Sequence, residues 1–137
     1  MARGIPAKPI FGDKMKTQEI LELDCRDEDN KVVLMKVLKT IKPLQRFKKT
    51  ETDVSEIPQW ALEKVLHSTC RKYNVNVVGI QHDPLSNKDS DIWSGMIMGR
   101  KFKKFVYGLS IYELLAKFVV AIYGGIKNNE IHRRDKM

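Results

Sequence analysis

Cysteine is scarce in this chain, which has two cysteines in 137 residues. Small secreted domains that depend on disulfides carry several cysteine pairs, so a disulfide framework is excluded and we expect a reducing, cytoplasmic compartment. The first residues lack the apolar segment of a secretory signal. The longest apolar run, Phe118 to Tyr123, is far shorter than the roughly 18 residues that a membrane-spanning helix needs. We therefore expect no membrane partner.

Catalytic signatures are also missing. The sequence has no Gly-rich phosphate loop, no Gly-x-Ser-x-Gly elbow and no His-Glu-x-x-His helix. His67 and Cys70 are three residues apart, with Cys25 or His82 as further ligands, but the paired Cys-x-x-Cys spacing of a zinc site is absent. His82 and Asp83 suit an ordinary polar turn better than an acid–base pair. We expect a non-enzymatic protein without catalytic residues, metal or cofactor.

Basic residues outnumber acidic ones by 25 to 17, which gives a net charge of +8. Such an excess attracts polyanions and steers their approach. The cations are clustered. The segment from Lys31 to Lys49 has seven basic residues and no acid, Arg100 to Phe105 mixes four cations with two aromatics, and the tail from His132 to Lys136 is basic again. The pattern indicates contact with phosphates or, alternatively, a solvated surface.

Hydrophobic periodicity predicts two helices and three strands in the second half of the chain. We predict a helix from about Glu56 to Lys72, strands at Val75–Ile80, Ile92–Met98 and Phe102–Tyr107, and a helix over Ile111–Tyr123. A polar loop from Gln81 to Asp91 separates the first two strands. Ser110 and Glu113 have capping-box spacing, and Gly124-Gly125 is expected to end the last helix.

The first half of the chain is less regular. Residues 1–16 contain Pro6, Pro9 and two glycines, which predicts an extended arm. Thr17 to Cys25 alternates apolar and polar residues, as a half-buried strand does. Lys31 to Ile41 fits either a helix, which we favour slightly, or the second strand of a hairpin. Lys48 to Thr52 has no apolar residue and is the best candidate for a linker.

These elements predict one α+β domain, made of a small antiparallel three-stranded meander flanked by two helices, with an N-terminal extension that contains a strand. We place the domain at residues 17–126, with its core at 53–126, and a polar basic tail at 127–137. Trp60 and Trp93 are expected to be buried, although Trp60 could anchor a partner and Trp93 could stack on a base.

The order helix, three strands, helix over residues 56–123 resembles the double-stranded-RNA-binding domain. Gln81-His82-Asp83-Pro84 matches the loop that contacts a minor groove in that family, and Gly108-Leu109-Ser110 matches the turn into the last helix. The resemblance implies contact with duplex RNA. The sequence departs from the family at the start of the last helix, where apolar residues replace the phosphate-binding lysine pair and only Lys117 remains nearby.

The favoured interpretation is a protein that binds DNA or RNA by contacting phosphates with basic patches, with Phe102 stacking on a base. The candidate contact residues are Lys36, Lys39, Lys42, Arg46, Lys48, Lys49, Arg100, Lys101, Phe102, Lys103 and Lys104. The alternative is a small protein-binding regulator or inhibitor, of the kind that phages and mobile elements encode, whose basic face docks on an acidic protein surface. An exposed strand at Thr17–Cys25 or Phe102–Tyr107 would also allow a homodimer.

Overall fold

The computed structural model describes residues 16–47, 56–84 and 91–132. The described residues form four α-helices, one 3-10 helix and three strands. In chain order these are α1 (Thr17–Leu21), α2 (Glu28–Leu38), the 3-10 helix (Lys42–Phe47), α3 (Gln59–Tyr73), β1 (Asn76–Pro84), β2 (Asp91–Met98), β3 (Lys103–Gly108) and α4 (Ile111–Lys127). The strands form an antiparallel meander in the order β1-β2-β3 with helices beside it, which confirms the predicted α+β class.

Helix α4 lies at the centre of the fold. Its apolar sequence predicts burial, and Leu114, Phe118 and Ile122 are fully buried. The helix packs against β2 and β3 and against α1, α2 and α3. Its first turn is capped by Ser110, whose hydroxyl accepts a hydrogen bond from the Glu113 N–H at 3.1 Å. The sheet and three other helices therefore surround α4, which forms the middle of the hydrophobic core.

The two glycines of α4 do not end the helix, which continues to Lys127. A Cβ at Gly124 would collide with the side chain of Thr17, and one at Gly125 would lie 2.7 Å from Ile131 Cδ1. Their lack of a side chain lets neighbouring segments pack closely against α4. The predicted stop at this position is wrong because close packing, rather than a left-handed cap, explains the glycines.

The predicted strand at Thr17 to Cys25 is also wrong, because its first residues form the short helix α1. Glu19 Oε1 accepts a hydrogen bond from the Lys16 N–H at 2.9 Å and closes the first turn. Ile20, Leu21 and Cys25 are buried, and α1 packs against α4. Leu21 and Cys25 are four residues apart, a spacing that fits one face of a strand and one face of a helix alike. Over so short a segment, the alternation therefore does not distinguish a strand from a helix.

Helix α2 confirms the favoured interpretation of the next segment and excludes the hairpin strand. It begins at Glu28, three residues before the predicted start, because Asp27 caps it by accepting a hydrogen bond from the Asp29 N–H at 2.9 Å. The 3-10 helix follows within a few residues. The predicted arm up to residue 15 and the predicted linker lie outside the described residues.

Helix α3 and the three strands agree with their predictions apart from their ends. Helix α3 ends at Tyr73, and Asn74 follows it in the left-handed conformation at φ 58°. Strand β1 continues to Pro84, so the start of the predicted polar loop belongs to the strand. Its pairing with β2 shifts register between Val78 and Gln81, where Gly79 has a φ of 67°. That conformation favours glycine and gives β1 a bulge.

One face of the sheet is buried beneath α4. Successive residues of a strand point to opposite faces, and Ile97 of β2 and Val106 of β3 point inward and are almost completely buried. Gly95 pairs with Val106 on the same face, where a Cβ would lie 2.7 Å from the ring of Phe118. The absence of a side chain at Gly95 therefore makes room for Phe118 of α4.

Candidate functional site

The other face of the sheet carries exposed apolar side chains, and we call it the open face. Four of the six large apolar side chains that are exposed in the described residues lie on it, namely Val78, Met98, Phe105 and Tyr107. Phe105 is 58% exposed and Tyr107 is 48% exposed. Scattered exposed apolar residues are ordinary, but a cluster on one surface is typical of a binding site.

The two aromatic rings of the open face come from one strand. Phe105 and Tyr107 are two residues apart on β3, which places them on the same face at a spacing of about 7 Å along the strand. Their ring centroids are 5.8 Å apart, with an angle of 55° between the ring planes. The rings are thus neighbours without covering each other face to face.

Cations lie at one end of the open face, on the turn between β2 and β3. The turn is closed by a hydrogen bond from the Gly99 N–H to the Phe102 carbonyl at 2.7 Å. Arg100, Lys101 and Lys103 are exposed. Lys104 is half-buried and donates a hydrogen bond from Nζ to Gln18 Oε1 at 2.9 Å. The structure therefore gathers Arg100, Lys101 and Lys103 at this end of the open face, whereas Lys104 pairs with the inward-pointing Ile97 and lies on the opposite face of the sheet.

Burial removes two predicted residues from the contact surface. Phe102 is 6% exposed, and its Cε1 would lie 2.9 Å from a Cβ at Gly125 of α4. Its ring belongs to the core, so the prediction that it stacks on a base is wrong. Lys39 is 3% exposed, directly after α2. Phe102 precedes β3 and packs beside Gly125 of α4, whereas Phe105 lies within β3 on the open face and presents its ring to solvent.

The remaining predicted cations lie among the helices. Lys36 is half-buried on α2, whereas Lys42 and Arg46 are exposed at the two ends of the 3-10 helix. The Arg46 guanidinium lies over the rings of Phe47 and Trp60, at 4.9 and 5.4 Å from their centroids. Lys48 and Lys49 lie outside the described residues. The structure therefore separates Arg46 from the basic turn of the sheet.

The two tryptophans have different environments. Trp93 is partly buried on β2 and stacks on the His82 ring, with centroids 4.2 Å apart and planes 13° from parallel. Trp60 is 54% exposed near the start of α3, so its predicted burial is wrong. A signal for this was present in the sequence, since Trp60, Lys64, Ser68 and Lys72 recur at every fourth position. That spacing predicts one polar stripe with Trp60 at its end.

A buried ion pair on α4 also bonds to the backbone of neighbouring segments. Lys117 Nζ lies 2.7 Å from Glu113 Oε2, donates a hydrogen bond to the Leu23 carbonyl at 2.8 Å and approaches the Tyr107 carbonyl at 3.4 Å. Both side chains of the ion pair are buried. Burial, together with the nearby Glu113 carboxylate, raises the pKa of the Cys25 thiol from 9.0 to about 11. A thiol with so high a pKa is a poor nucleophile at neutral pH.

No three His, Cys, Asp or Glu side chains in the described ranges are arranged to hold a metal ion. None of the helices in that part of the chain has both the length and the apolar character needed to cross a membrane.

Comparison with protein-family models, with curated proteins and with solved structures finds no match to the chain. The resemblance to the double-stranded-RNA-binding domain thus stays a prediction. The described order of α3, β1, β2, β3 and α4 is the predicted one. However, Lys117, which alone stands near the position of the family's lysine pair, is buried in the ion pair with Glu113.

Proposed function

We propose that the protein binds single-stranded nucleic acid on the open face of its sheet, by stacking bases on Phe105 and Tyr107. The observation that carries the proposal is the exposure of these two rings, side by side, beside a basic turn. Exposed aromatic residues on a sheet are a known way to stack unpaired bases, and every base offers a ring face. Bases inside a duplex offer no such face, which favours single strands.

The basic turn supplies the electrostatic half of the proposed site. Arg100, Lys101 and Lys103 are exposed where β2 passes into β3, and Lys103 is two residues before Phe105 on the same face of β3. A strand that lies along β3 would bring its backbone phosphates past this turn. Phosphate contacts of this kind release counterions and make the affinity depend steeply on salt. The net charge of +8 acts in the same direction.

Duplex RNA is a less suitable ligand for the described surface. The resemblance implies phosphate contacts from the start of the last helix, but Leu114 and Leu115 are buried there and Lys117 is paired with Glu113. The other cation clusters could still attract a duplex, but without using the two rings. The comparison of single and double strands therefore tests which surface is used.

The test measures fluorescence anisotropy of labelled single-stranded DNA, single-stranded RNA and the two corresponding duplexes, at salt concentrations between about 50 and 200 mM. We expect a single strand to bind more tightly than its duplex. F105A and Y107A should each weaken single-strand binding by about 5- to 150-fold, since one stacked base contributes roughly 1–3 kcal/mol. K101Q/K103Q should reduce the slope of log affinity against log salt by about 1 to 1.5.

A matched substitution separates stacking from docking of an apolar surface. F105L/Y107L keeps two apolar side chains on β3 but removes both rings. Base stacking predicts that the leucine variant binds nucleic acid as weakly as F105A/Y107A. The proposal is overturned if no nucleic acid binds at about 50 mM salt, or if the leucine variant binds as tightly as the natural sequence.

The alternative partner, an acidic protein surface, has its own signature. An apolar contact through Val78, Met98 and the two β3 rings would tolerate leucine at positions 105 and 107. A homodimer through the open face would appear in light scattering of the purified protein and would be lost in M98A/F105A. Either result, with free nucleic acid left unbound, would replace the single-strand proposal.

A further inference from the structure

A second candidate site lies among the helices, in a cavity of about 330 Å³ between the 3-10 helix, α3 and the last turns of α4. It lies on a different side of α4 from the sheet. Phe118 of α4 faces Gly95 in the sheet, whereas Tyr123 of α4 reaches Thr69 of α3. These two α4 residues are five positions apart, which rotates them by about 140° around the helix. The cavity and the open face are thus separate surfaces.

Three cations line the cavity, and none of its lining residues is acidic. Lys64 and Lys72 belong to the stripe of every fourth residue on α3, and Arg46 comes from the 3-10 helix. All three are exposed. Neither Lys64 nor Lys72 forms an ion pair with a described residue. Their charge is therefore left to attract an anion into the concave space between them.

Arg46 is held in place by aromatic rings. Its guanidinium lies over Phe47 and Trp60, and these two rings meet edge to face with centroids 6.1 Å apart. A cation–π contact uses the charge of a guanidinium and leaves its N–H donors able to bind phosphate oxygens. The ring contacts thus position the donors at the cavity without satisfying them.

The cavity also has aromatic and hydroxyl groups that suit an organic ligand better than a bare ion. Trp60, Tyr73 and Tyr123 line it. The hydroxyls of Thr69 and Tyr123 are 3.3 Å apart, and Thr69 is 5% exposed. Such a wall can pack against a planar ring, and the hydroxyl pair can exchange hydrogen bonds with a sugar. The volume is at the lower end of the range for small-molecule sites, about 300–1,000 Å³.

From these features we infer that the cavity binds a single nucleotide, with the phosphate held by Arg46, Lys64 and Lys72 and the planar base against the aromatic wall. The inference is independent of single-strand binding on the open face. The same chemistry is found in a free mononucleotide and in the phosphorylated end of a strand, and the test distinguishes these two sources.

Trp60 provides a direct readout, because W93F leaves it as the sole tryptophan. We would titrate this variant with adenosine 5′-monophosphate and follow Trp60 fluorescence. The matched probes are adenosine, which lacks the phosphate, and ribose 5-phosphate, which lacks the base. We expect saturation by the nucleotide at a Kd below about 1 mM, and at least tenfold weaker binding of each partial probe. A free nucleotide as the source predicts that a trinucleotide with a 5′-phosphate binds less tightly than the monophosphate.

Charge removal at two surfaces provides the control. K64Q/K72Q in the W93F background should weaken nucleotide binding at least tenfold, whereas K101Q/K103Q removes the same charge from the basic turn and should leave it unchanged. All four lysines are at least partly exposed, so the folded state is expected to persist in both variants, as thermal unfolding can verify. The site is disproved if the nucleotide produces no saturable change, if inorganic phosphate binds as tightly as the nucleotide, or if both lysine pairs matter equally.

Discussion

The two faces of the sheet are built from alternate residues of the same strands, but α4 packs against one face and leaves the other exposed. On β2, Ile97 is fully buried beneath α4, while its neighbour Met98 is exposed on the open face. On β3, Val106 is buried between two exposed rings, Phe105 and Tyr107. Both faces carry large apolar side chains, so the presence of such side chains does not by itself decide which face is covered. The difference shows that the open face holds apolar surface that the described helices leave uncovered.

The two faces therefore contribute differently to stability and to binding. Complete burial of an aliphatic side chain such as Ile97 contributes roughly 1.5–3 kcal/mol. A ring that is more than half exposed, such as Phe105, gains only part of its transfer free energy. Substitutions on the covered side should lower the free energy of unfolding and leave single-strand affinity intact. Substitutions on the open face should lower single-strand affinity and leave the free energy of unfolding almost unchanged.

The largest loss of stability is expected from the buried ion pair on the covered side. K117M removes the ammonium and leaves the Glu113 carboxylate buried without its partner. Breaking such a pair costs about 3–5 kcal/mol, because the remaining charge is uncompensated. Urea denaturation monitored by circular dichroism measures this loss. The double variant E113Q/K117M removes both charges and should be more stable than K117M. A loss below about 1 kcal/mol in K117M would contradict this account of the pair.

Adjacent positions on β2 give the sharpest comparison of the faces. I97A creates a cavity beneath α4 and should lower the free energy of unfolding by about 2–5 kcal/mol. M98A, one residue further along the strand, should change it by less than about 0.5 kcal/mol, as exposed substitutions do. The same denaturation experiment compares the two. Equal losses would mean that the open face is covered in the folded protein.

The sequence was sufficient to predict the elements that have long, regular patterns. Helices α3 and α4 and the three strands follow from apolar spacing and from the Ser110 cap, which are local signals. The start of the chain was less predictable, because five residues of α1 do not establish a period. The glycines of α4 have a tertiary explanation, since Gly124 is required by Thr17 and Gly125 by Ile131 and Phe102. The contacts with Thr17 and Phe102 join segments that are distant in sequence.

The candidate sites show the same division between local and tertiary information. The cations of the β2–β3 turn were found from their clustering alone. The choice between Phe102 and Phe105 needs the position of α4, which buries the first ring and leaves the second exposed. The cavity unites Arg46 with Lys64 and Lys72, which the chain brings together only when the 3-10 helix packs near α3. The four-residue spacing on α3 predicts that Lys64 and Lys72 share one face of the helix, but it does not predict that Arg46 lies beside them.

The buried Cys25 thiol makes the stability of the core depend on pH. Burial in the core raises the pKa of the Cys25 thiol from 9.0 to about 11. Between these values the unfolded chain has lost the thiol proton and the folded chain has kept it, so stability is complete below pH 9 and falls as pH rises to 11. The loss is on the order of 2 kcal/mol, since one pKa unit corresponds to about 1.4 kcal/mol.

Urea unfolding at pH 8 and pH 10.5 tests this dependence. The natural sequence and the open-face variant M98A should lose the same amount of stability between these pH values, because both keep the buried Cys25 thiol. C25A is less stable at pH 8 because it leaves a small cavity, but it should lose less between the two pH values by about the amount assigned to Cys25. If C25A declines as steeply as M98A, the thiol is not the group that titrates. The alkaline loss would then come from another group whose pKa burial raises, such as Tyr112, for which it rises to about 12.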